Sequence, residues 1–282
     1  MSILFLFIAL VASTVQNFFK KNYNKKVNDS GTFLFMLASS LSALLFFVLT
    51  TKNLAFNLAI IPYSLLFGTM YLLATIFGYL SIATGPLFLT SLFTSFSLLI
   101  PTFYGLIFLH DKIKPAFIPG LILTFVSLVL ITKKGKNEAK VTLKWIVFVA
   151  LFFISNGMCS VSQKMQQLAF DGAYKNEFMI FALAFVCVCL LVISFKERKE
   201  IKKVIKPCLV YAIPCGISNG AVNLFVMILT GMMATSVLFP SISAGGIIIS
   251  YFVSRFYYKE TLSKKQLIGS ALATIAVVLL NL

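Results

Sequence analysis

Charge is scarce in this sequence and is absent from its long apolar runs. Only 11% of the 282 residues are charged, 60% are hydrophobic, and ten runs of 17 to 27 residues contain no Asp, Glu, Lys, Arg or His. This composition excludes an ordinary soluble domain. A helix needs about 20 apolar residues to cross a hydrocarbon core, and backbone groups in lipid must bond internally. The sequence therefore predicts transmembrane helices at 2–19, 31–50, 57–83, 87–109, 115–132, 145–163, 178–195, 208–230, 235–254 and 266–282.

The residues that usually carry metal or catalytic chemistry are few. His110 is the only histidine, and no metal-ligand spacing links the five cysteines, which are expected to be small apolar packing residues. No GxxxxGK[ST] motif for a nucleotide phosphate occurs. We therefore expect no metal, no cofactor and no enzyme activity. The cysteines are Cys159, Cys187, Cys189, Cys208 and Cys215.

Carboxylates are also absent from the predicted spans. A proton-coupled pump usually carries an acid at membrane depth as a relay. The absence of such an acid disfavours obligatory proton antiport and favours a facilitator or exchanger. The eight acids of the chain are Asp29, Asp111, Glu138, Asp171, Glu177, Glu197, Glu200 and Glu260.

Basic residues give the chain a net charge of +16, but they lie in short connections between the predicted spans. We expect them to meet anionic lipid headgroups rather than nucleic acid. Connections after odd-numbered spans carry 19 basic residues, so the positive-inside rule places these connections in the cytoplasm and both termini outside. The apolar N-terminus lacks a basic leader region and a small-residue cleavage site, so we expect it to be retained as the first helix. Connections after even-numbered spans carry Lys52, Lys112, Lys114, Lys164 and Lys175.

An internal repeat is visible at an offset of 149 residues. Asp111–Leu130 is similar to Glu260–Leu279, and Gly120 aligns with Gly269. The sequence therefore predicts two five-helix repeats, at 1–132 and 145–282, joined by a basic linker at 133–144. Because five is odd, the second repeat enters the membrane in the opposite sense, as in many secondary transporters.

The repeat junctions resemble those of a known family. Leu109–Gly120 and Tyr258–Leu280 each carry an acidic turn followed, several residues later, by a glycine, and Ser13–Lys20 closes the first span. These segments resemble the drug/metabolite transporter superfamily, specifically its ten-helix EamA-type members. The sequence departs from the family pattern at Asp111, where Glu is usual, and at Lys259, where Gly is common. The resemblance implies a multi-pass transporter of the bacterial-type plasma membrane. The resemblance also implies cytoplasmic termini. The distribution of basic residues predicts the opposite, with both termini outside, and we adopt that prediction.

Polar side chains concentrate on spans 1, 3, 4, 6, 8 and 9, which the resemblance places around a central cavity. An amide facing lipid is costly, so these residues line a cavity or bond neighbouring helices together. Asn219 and Asn223 lie four apart on one helical face, and the repeat aligns them with Tyr71 and Thr75. The remaining candidates of this polar set are Gln16, Asn17, Tyr79, Ser91, Ser95, Asn156 and Gln163.

Span 9 contains residues that weaken or bend a helix. Pro240, Gly245 and Gly246 lie within seven residues. A bend near the midplane would expose backbone groups to a solute beside Ser241 and Ser243. The alternative is a packing kink with no ligand.

Spans 5 and 10 carry small residues at helical spacing, which permit close helix approach. These residues serve either an intramolecular interface, which we favour, or a homodimer. They are Gly120, Thr124, Ser127, Gly269, Ala273 and Ala276. The lone tryptophan, Trp145, is expected to anchor at the membrane interface.

The polar set contains amides, hydroxyls and tyrosines but no fixed charge. It suits neutral or zwitterionic solutes such as amino acids or related metabolites, carried by alternating access. A lipid or lipid-linked sugar as cargo, or a non-transporting membrane accessory subunit or enzyme, are the alternatives. The expected partners are a small-molecule solute and membrane lipids.

Overall fold

The computed structural model describes residues 1–27, 30–55, 57–84, 90, 93, 96–112, 115–131, 142–252 and 264–281. These residues form helices and their connections, and no strand occurs among them. The helices are α1 Ser2–Val27, α2 Thr32–Thr50, α3 Ile61–Thr84, α4 Leu99–Phe108, α5 Phe117–Ile131, α6 Leu143–Ala169, α7 Lys175–Ser194, α8 Ile201–Met232, α9 Thr235–Phe252 and α10 Lys264–Asn281.

Five helical stretches are long and apolar enough to cross a membrane, which agrees with the membrane protein that the composition predicts. The full set of ten spans and the inverted repeat remain predictions. The five stretches are Ser2–Asn24, Thr32–Thr50, Leu58–Thr84, Leu143–Ala169 and Lys175–Met232.

Three helices run well beyond their predicted spans into polar sequence. α1 continues to Val27, α6 continues to Ala169, and α8 begins at Ile201. Lysine and glutamine are good helix formers, so a charged residue ends an apolar run without ending its helix. Lys164, which the sequence assigns to a connection, accordingly lies inside α6. That assignment was wrong.

The chain forms two compact units, which interleave segments of both predicted repeats. The first unit is Met1–Thr69 with Met165–Gly231, and the second is Met70–Lys164 with Met232–Leu282. The repeat boundaries at 132 and 145 remain a prediction, and most of the basic linker lies outside the described residues.

In the first unit, α2 and α7 pack antiparallel. At the start of α2, the N–H of Leu34 donates to Glu197 Oε2 beyond the end of α7 (3.0 Å). Beyond the end of α2, the N–H of Ala55 donates to Glu177 Oε1 in the first turn of α7 (3.1 Å). The first amides of a helix have no intrahelical acceptor, so Glu197 stabilises the start of α2.

Two glycines bring α8 close to α2. A Cβ at Gly216 would overlap the carbonyl oxygen of Ser39, and a Cβ at Gly220 would meet the ring of Phe46. The order of these contacts shows that α8 runs parallel to α2. Since α7 runs antiparallel to α2, the chain reverses at the 3-10 helix Phe195–Glu200. The apolar stretch Lys175–Met232 therefore contains two helices, as the sequence predicts.

The second unit contains two further antiparallel pairs. Gly105, near the end of α4, lies against Thr235 at the start of α9. Gly120, near the start of α5, lies against Leu280 at the end of α10. Ala273 and Ala276 of α10 form a buried cluster with Ala244 of α9, and Leu123 of α5 packs against it. Gly120, Ala273 and Ala276 thus lie at intramolecular helix contacts, the alternative that we favoured.

Trp145 corrects the expectation of an interfacial anchor. Its side chain is buried, and Nε1 donates to Thr90 Oγ1 (3.1 Å). The indole ring also lies edge-on to Phe93, with a centroid separation of 6.3 Å. The N–H of a buried indole needs an acceptor, and Thr90 provides it within the second unit.

Candidate solute-binding residues

The amide pair of α8 lies in the first unit and shares one helical face, as predicted. Asn223 Nδ2 donates to the carbonyl oxygen of Asn219 (2.9 Å) and to its Oδ1 (3.2 Å). Asn219 is buried and Asn223 is half-buried. The pair therefore holds one amide inside the protein and presents the other at the edge of the buried region.

The aligned pair on α3 has a similar internal geometry in the second unit. Thr75 Oγ1 donates to the carbonyl oxygen of Tyr71 (2.8 Å). Tyr71, Thr75 and Tyr79 are all half-buried. Because the two pairs belong to different units, their shared cavity remains a sequence prediction.

The amides of α1 and α6 differ in exposure. In the first unit, Gln16 is half-buried, and its carbonyl oxygen accepts from the Cys215 thiol (3.7 Å), whereas Asn17 is exposed. In the second unit, Asn156 Nδ2 donates to Ser97 Oγ (2.6 Å). Gln163 is buried in α6. The Asn156 bond ties α6 to the segment before α4, so this amide joins protein segments together.

The proline of α9 lies beside a small, mostly apolar cavity in the second unit. Pro240 and Ser243 line a space of about 10 Å³ together with Thr102 of α4 and Thr124 of α5. Ser243 Oγ is buried and makes no hydrogen bond within the described residues. Proline has no N–H, so the carbonyl oxygen of Ser236 loses its intrahelical donor. Ser243 is thus a buried polar residue at the edge of this cavity.

The other residues predicted near the bend are less informative. Ser241 is fully buried, and α9 is helical through Gly245 and Gly246. A Cβ at Gly246 would meet nothing within 4 Å. The bend itself stays a prediction. Ser91 and Ser95 lie outside the described residues.

Sequence reasoning missed a charged pair at the junction of α6 and α9. The Lys164 side chain is only 9% exposed inside the second unit. Asp111 interacts electrostatically with Lys164, and its Oδ2 also accepts from the N–H of Ser236 (2.9 Å). A Cβ at Gly105 would overlap the Asp111 carboxylate. Asp111 therefore both caps α9 and partly neutralises a buried ammonium.

A signal for Lys164 exists in the sequence. From Gln163 to Ala169 the chain contains only good helix formers, and the first glycine follows at Gly172. A helix that continues through this segment keeps Lys164 in α6, near its polar residues. The sequence prediction ended the span at the first charged residue and therefore placed Lys164 in a connection.

Three of the five described acids accept hydrogen bonds from backbone amides at or near helix ends. Asp111, Glu177 and Glu197 each accept a backbone N–H. No group of three His, Cys, Asp or Glu that could hold a metal occurs in the described part of the chain. The five cysteines are free thiols.

Comparison with known proteins identifies a shared fold. No family model and no curated protein matches the chain. A crystal structure, described only as that of a protein, matches over 99% of this chain and 95% of its own chain, with a TM-score of 0.71 and 11% sequence identity. At this identity, the likeness shows that the fold occurs in a solved protein and carries nothing about function.

Proposed function

We propose that the chain is a secondary transporter of small neutral or zwitterionic organic solutes, such as amino acids or related metabolites, built like the EamA-type transporters. One observation carries the proposal. Three pairs of helices that the repeat makes equivalent pack directly against each other and antiparallel. They are α2 with α7, α4 with α9 and α5 with α10.

Direct packing of equivalent helices supports an inverted repeat. In a chain that crosses a membrane back and forth, any two helices five apart run in opposite directions. This alternation of direction does not by itself place the two helices next to each other. A pseudo-twofold axis in the membrane plane does make neighbours of equivalent helices close to it. Inverted repeats let one half rock against the other, which is the basis of alternating access in many secondary transporters.

The charges within the second unit favour a zwitterion within the proposed solute class. Lys164 and Asp111 carry opposite charges and interact electrostatically, and a buried charge is costly unless it is paired. A zwitterionic solute carries the same two charges and can satisfy both groups as they separate. The amides and hydroxyls predicted from the sequence are the candidates for binding the uncharged part of the solute.

Solute flux in reconstituted vesicles tests the proposal. A thermal-shift screen of the purified protein against a metabolite library selects the solute, because a ligand of the folded state raises Tm. Vesicles loaded with that solute are then expected to accumulate labelled external solute by exchange. Asn24 is an exposed residue near the end of α1. Asn24→Leu is therefore the control for Asn219→Leu and Asn223→Leu, and it is expected to leave exchange unchanged.

The alternatives give different results in the same vesicles. A lipid translocator would scramble labelled lipid without solute exchange, and a membrane enzyme would alter the lipid chemically. An accessory subunit would do neither. Absence of solute-specific exchange for every stabilising solute would overturn the proposal.

A further inference from the structure

The second unit contains a larger cavity at the ends of three helices. Its volume is about 430 Å³, within the range of about 300–1,000 Å³ typical of small-molecule sites. It is lined by the start of α5, the start of α9 with the residues before it, and the end of α10. The lining residues are Lys112, Phe117, Met233, Ala234, Val237, Leu279 and Leu280.

The lining has a polar rim and an apolar floor. Lys112 is exposed in the connection between α4 and α5, whereas Phe117 and Leu280 are buried. The other described lining residues are also apolar, so Lys112 carries the charge of the described lining. Ends of apolar helices lie where the hydrocarbon core meets the headgroups. The cavity therefore places a cation at headgroup level above an apolar space.

We propose that this cavity binds one acyl chain of an anionic phospholipid, with the lipid phosphate paired to Lys112. An acyl chain matches the apolar floor, because each methylene removed from water favours binding. A phosphate matches the ammonium, which acts as a compact point charge. Asp111, the neighbouring acid, directs its carboxylate to the Ser236 amide and to Lys164.

The cavity is distinct from the residues proposed to bind the solute. Its described lining contains no side-chain amide or hydroxyl, which a neutral or zwitterionic solute would require. It borders the start of α9, through Ala234 and Val237, about one turn before Pro240. A bound lipid would therefore contact the start of the helix that carries Pro240 and Ser243.

Lipid titration of the purified full chain in neutral detergent tests the site. Phosphatidylglycerol and phosphatidylcholine are titrated separately, and apparent Kd values are taken from the rise in Tm. Lys112→Ala is expected to weaken phosphatidylglycerol binding about five-fold, the effect of one lysine at an anionic surface, and to leave phosphatidylcholine binding unchanged. Ala234→Trp, which fills the cavity from an exposed position, is expected to weaken binding of both lipids.

Lys52→Ala is the matched control, since Lys52 is an exposed lysine in another connection. It is expected to retain wild-type affinity for phosphatidylglycerol. Equal wild-type affinity for the two lipids would overturn the proposal, as would an equal loss in Lys52→Ala and Lys112→Ala. Tighter binding of palmitate than of phosphatidylglycerol would also overturn it, in favour of a free fatty acid. Lys112 is exposed, so its substitution does not threaten folding.

Discussion

The helices of both units approach closely at glycines, and the units differ in the cavities found among their described residues. In the first unit, α8 approaches α2 through Gly216 and Gly220, close to backbone and aromatic atoms. The second unit contains both cavities described above, together with Pro240 and the pair of Lys164 and Asp111. Close backbone contact stabilises a helix pair but leaves no room for a ligand, whereas cavities lower stability and give space.

In the second unit, Gly105 and Gly157 also lie close to backbone atoms, of Ser236 and Ser97. Close contact is therefore common to both units, and the cavities distinguish the second. Asn219 and Asn223 place a polar pair in the first unit, and their substitution shows whether that unit also takes part in function.

The largest effect is expected where the helices of the first unit are closest. Gly216→Ala introduces a Cβ that overlaps the Ser39 carbonyl oxygen, and overpacking of this kind costs about 1–3 kcal/mol of unfolding free energy. We expect a value at the upper end, measured by denaturation in detergent, because the opposing atom is backbone. Gly246→Ala in the second unit is the matched control and is expected to be neutral or stabilising, since the site is open. An unchanged Tm in Gly216→Ala would show that Gly216 does not pack against the Ser39 carbonyl as closely as described.

The next largest effect is expected at the charged pair of the second unit. Breaking a fully buried ion pair costs about 3–5 kcal/mol. Asp111 is half-buried, so we expect Lys164→Met to cost about 2 kcal/mol of unfolding free energy. Removing both charges, in Lys164→Met with Asp111→Asn, is expected to restore part of this loss. Additive losses in the double variant would show that the two groups do not interact.

A smaller effect is expected at the amides of the first unit. Asn219→Leu and Asn223→Leu are each expected to lower solute exchange about ten-fold, which corresponds to about 1.4 kcal/mol, while the protein stays inserted and folded. Thr75→Val is the parallel change in the second unit. A loss of Tm with exchange unchanged in both asparagine variants would make the pair a structural feature of α8 rather than part of a solute site.

Orientation can be read from one introduced cysteine in each unit. Lys202 and Pro115 are exposed and lie on opposite membrane faces in the charge-based topology. Lys202→Cys is expected to resist a membrane-impermeant thiol reagent in intact cells and to react after permeabilisation, whereas Pro115→Cys reacts at once. The native protein is the control, because its cysteines are buried or half-buried. Reaction of Lys202→Cys alone in intact cells would place the termini in the cytoplasm.

Helix positions followed from the sequence because apolar runs of membrane length leave few choices. The interiors of α2, α5, α7 and α9 agree with their predicted spans to within a few residues. The predictions failed where charge and helix end separate, at Lys164, and where an aromatic residue finds a buried acceptor, at Trp145. Lys164 lies in a helix because helix formers continue to Ala169, a signal that ending the span at the first charge concealed. The burial of Trp145 depends on a contact with Thr90, which is far away in the sequence. A periodicity within one segment carries no such information.

The site was predictable in part for the same reason. Spacing along one helix predicted that Asn219 and Asn223 share a face, and the structure confirms it. Spacing did not reveal that Pro240 and Ser243 border a cavity with Thr102 and Thr124. Three helices must come together to form that space, and only the packing of α4, α5 and α9 brings them there.

Solute exchange in vesicles with and without a protonophore tests the central claim most directly. No acid lies inside the predicted spans, so the account predicts saturable exchange that persists when the proton gradient is collapsed. Lys164→Met serves as a comparison, because Lys164 is a buried titratable residue of α6. Exchange that requires a pH gradient and is abolished by the protonophore would contradict the account and would assign the relay to Lys164 and Asp111.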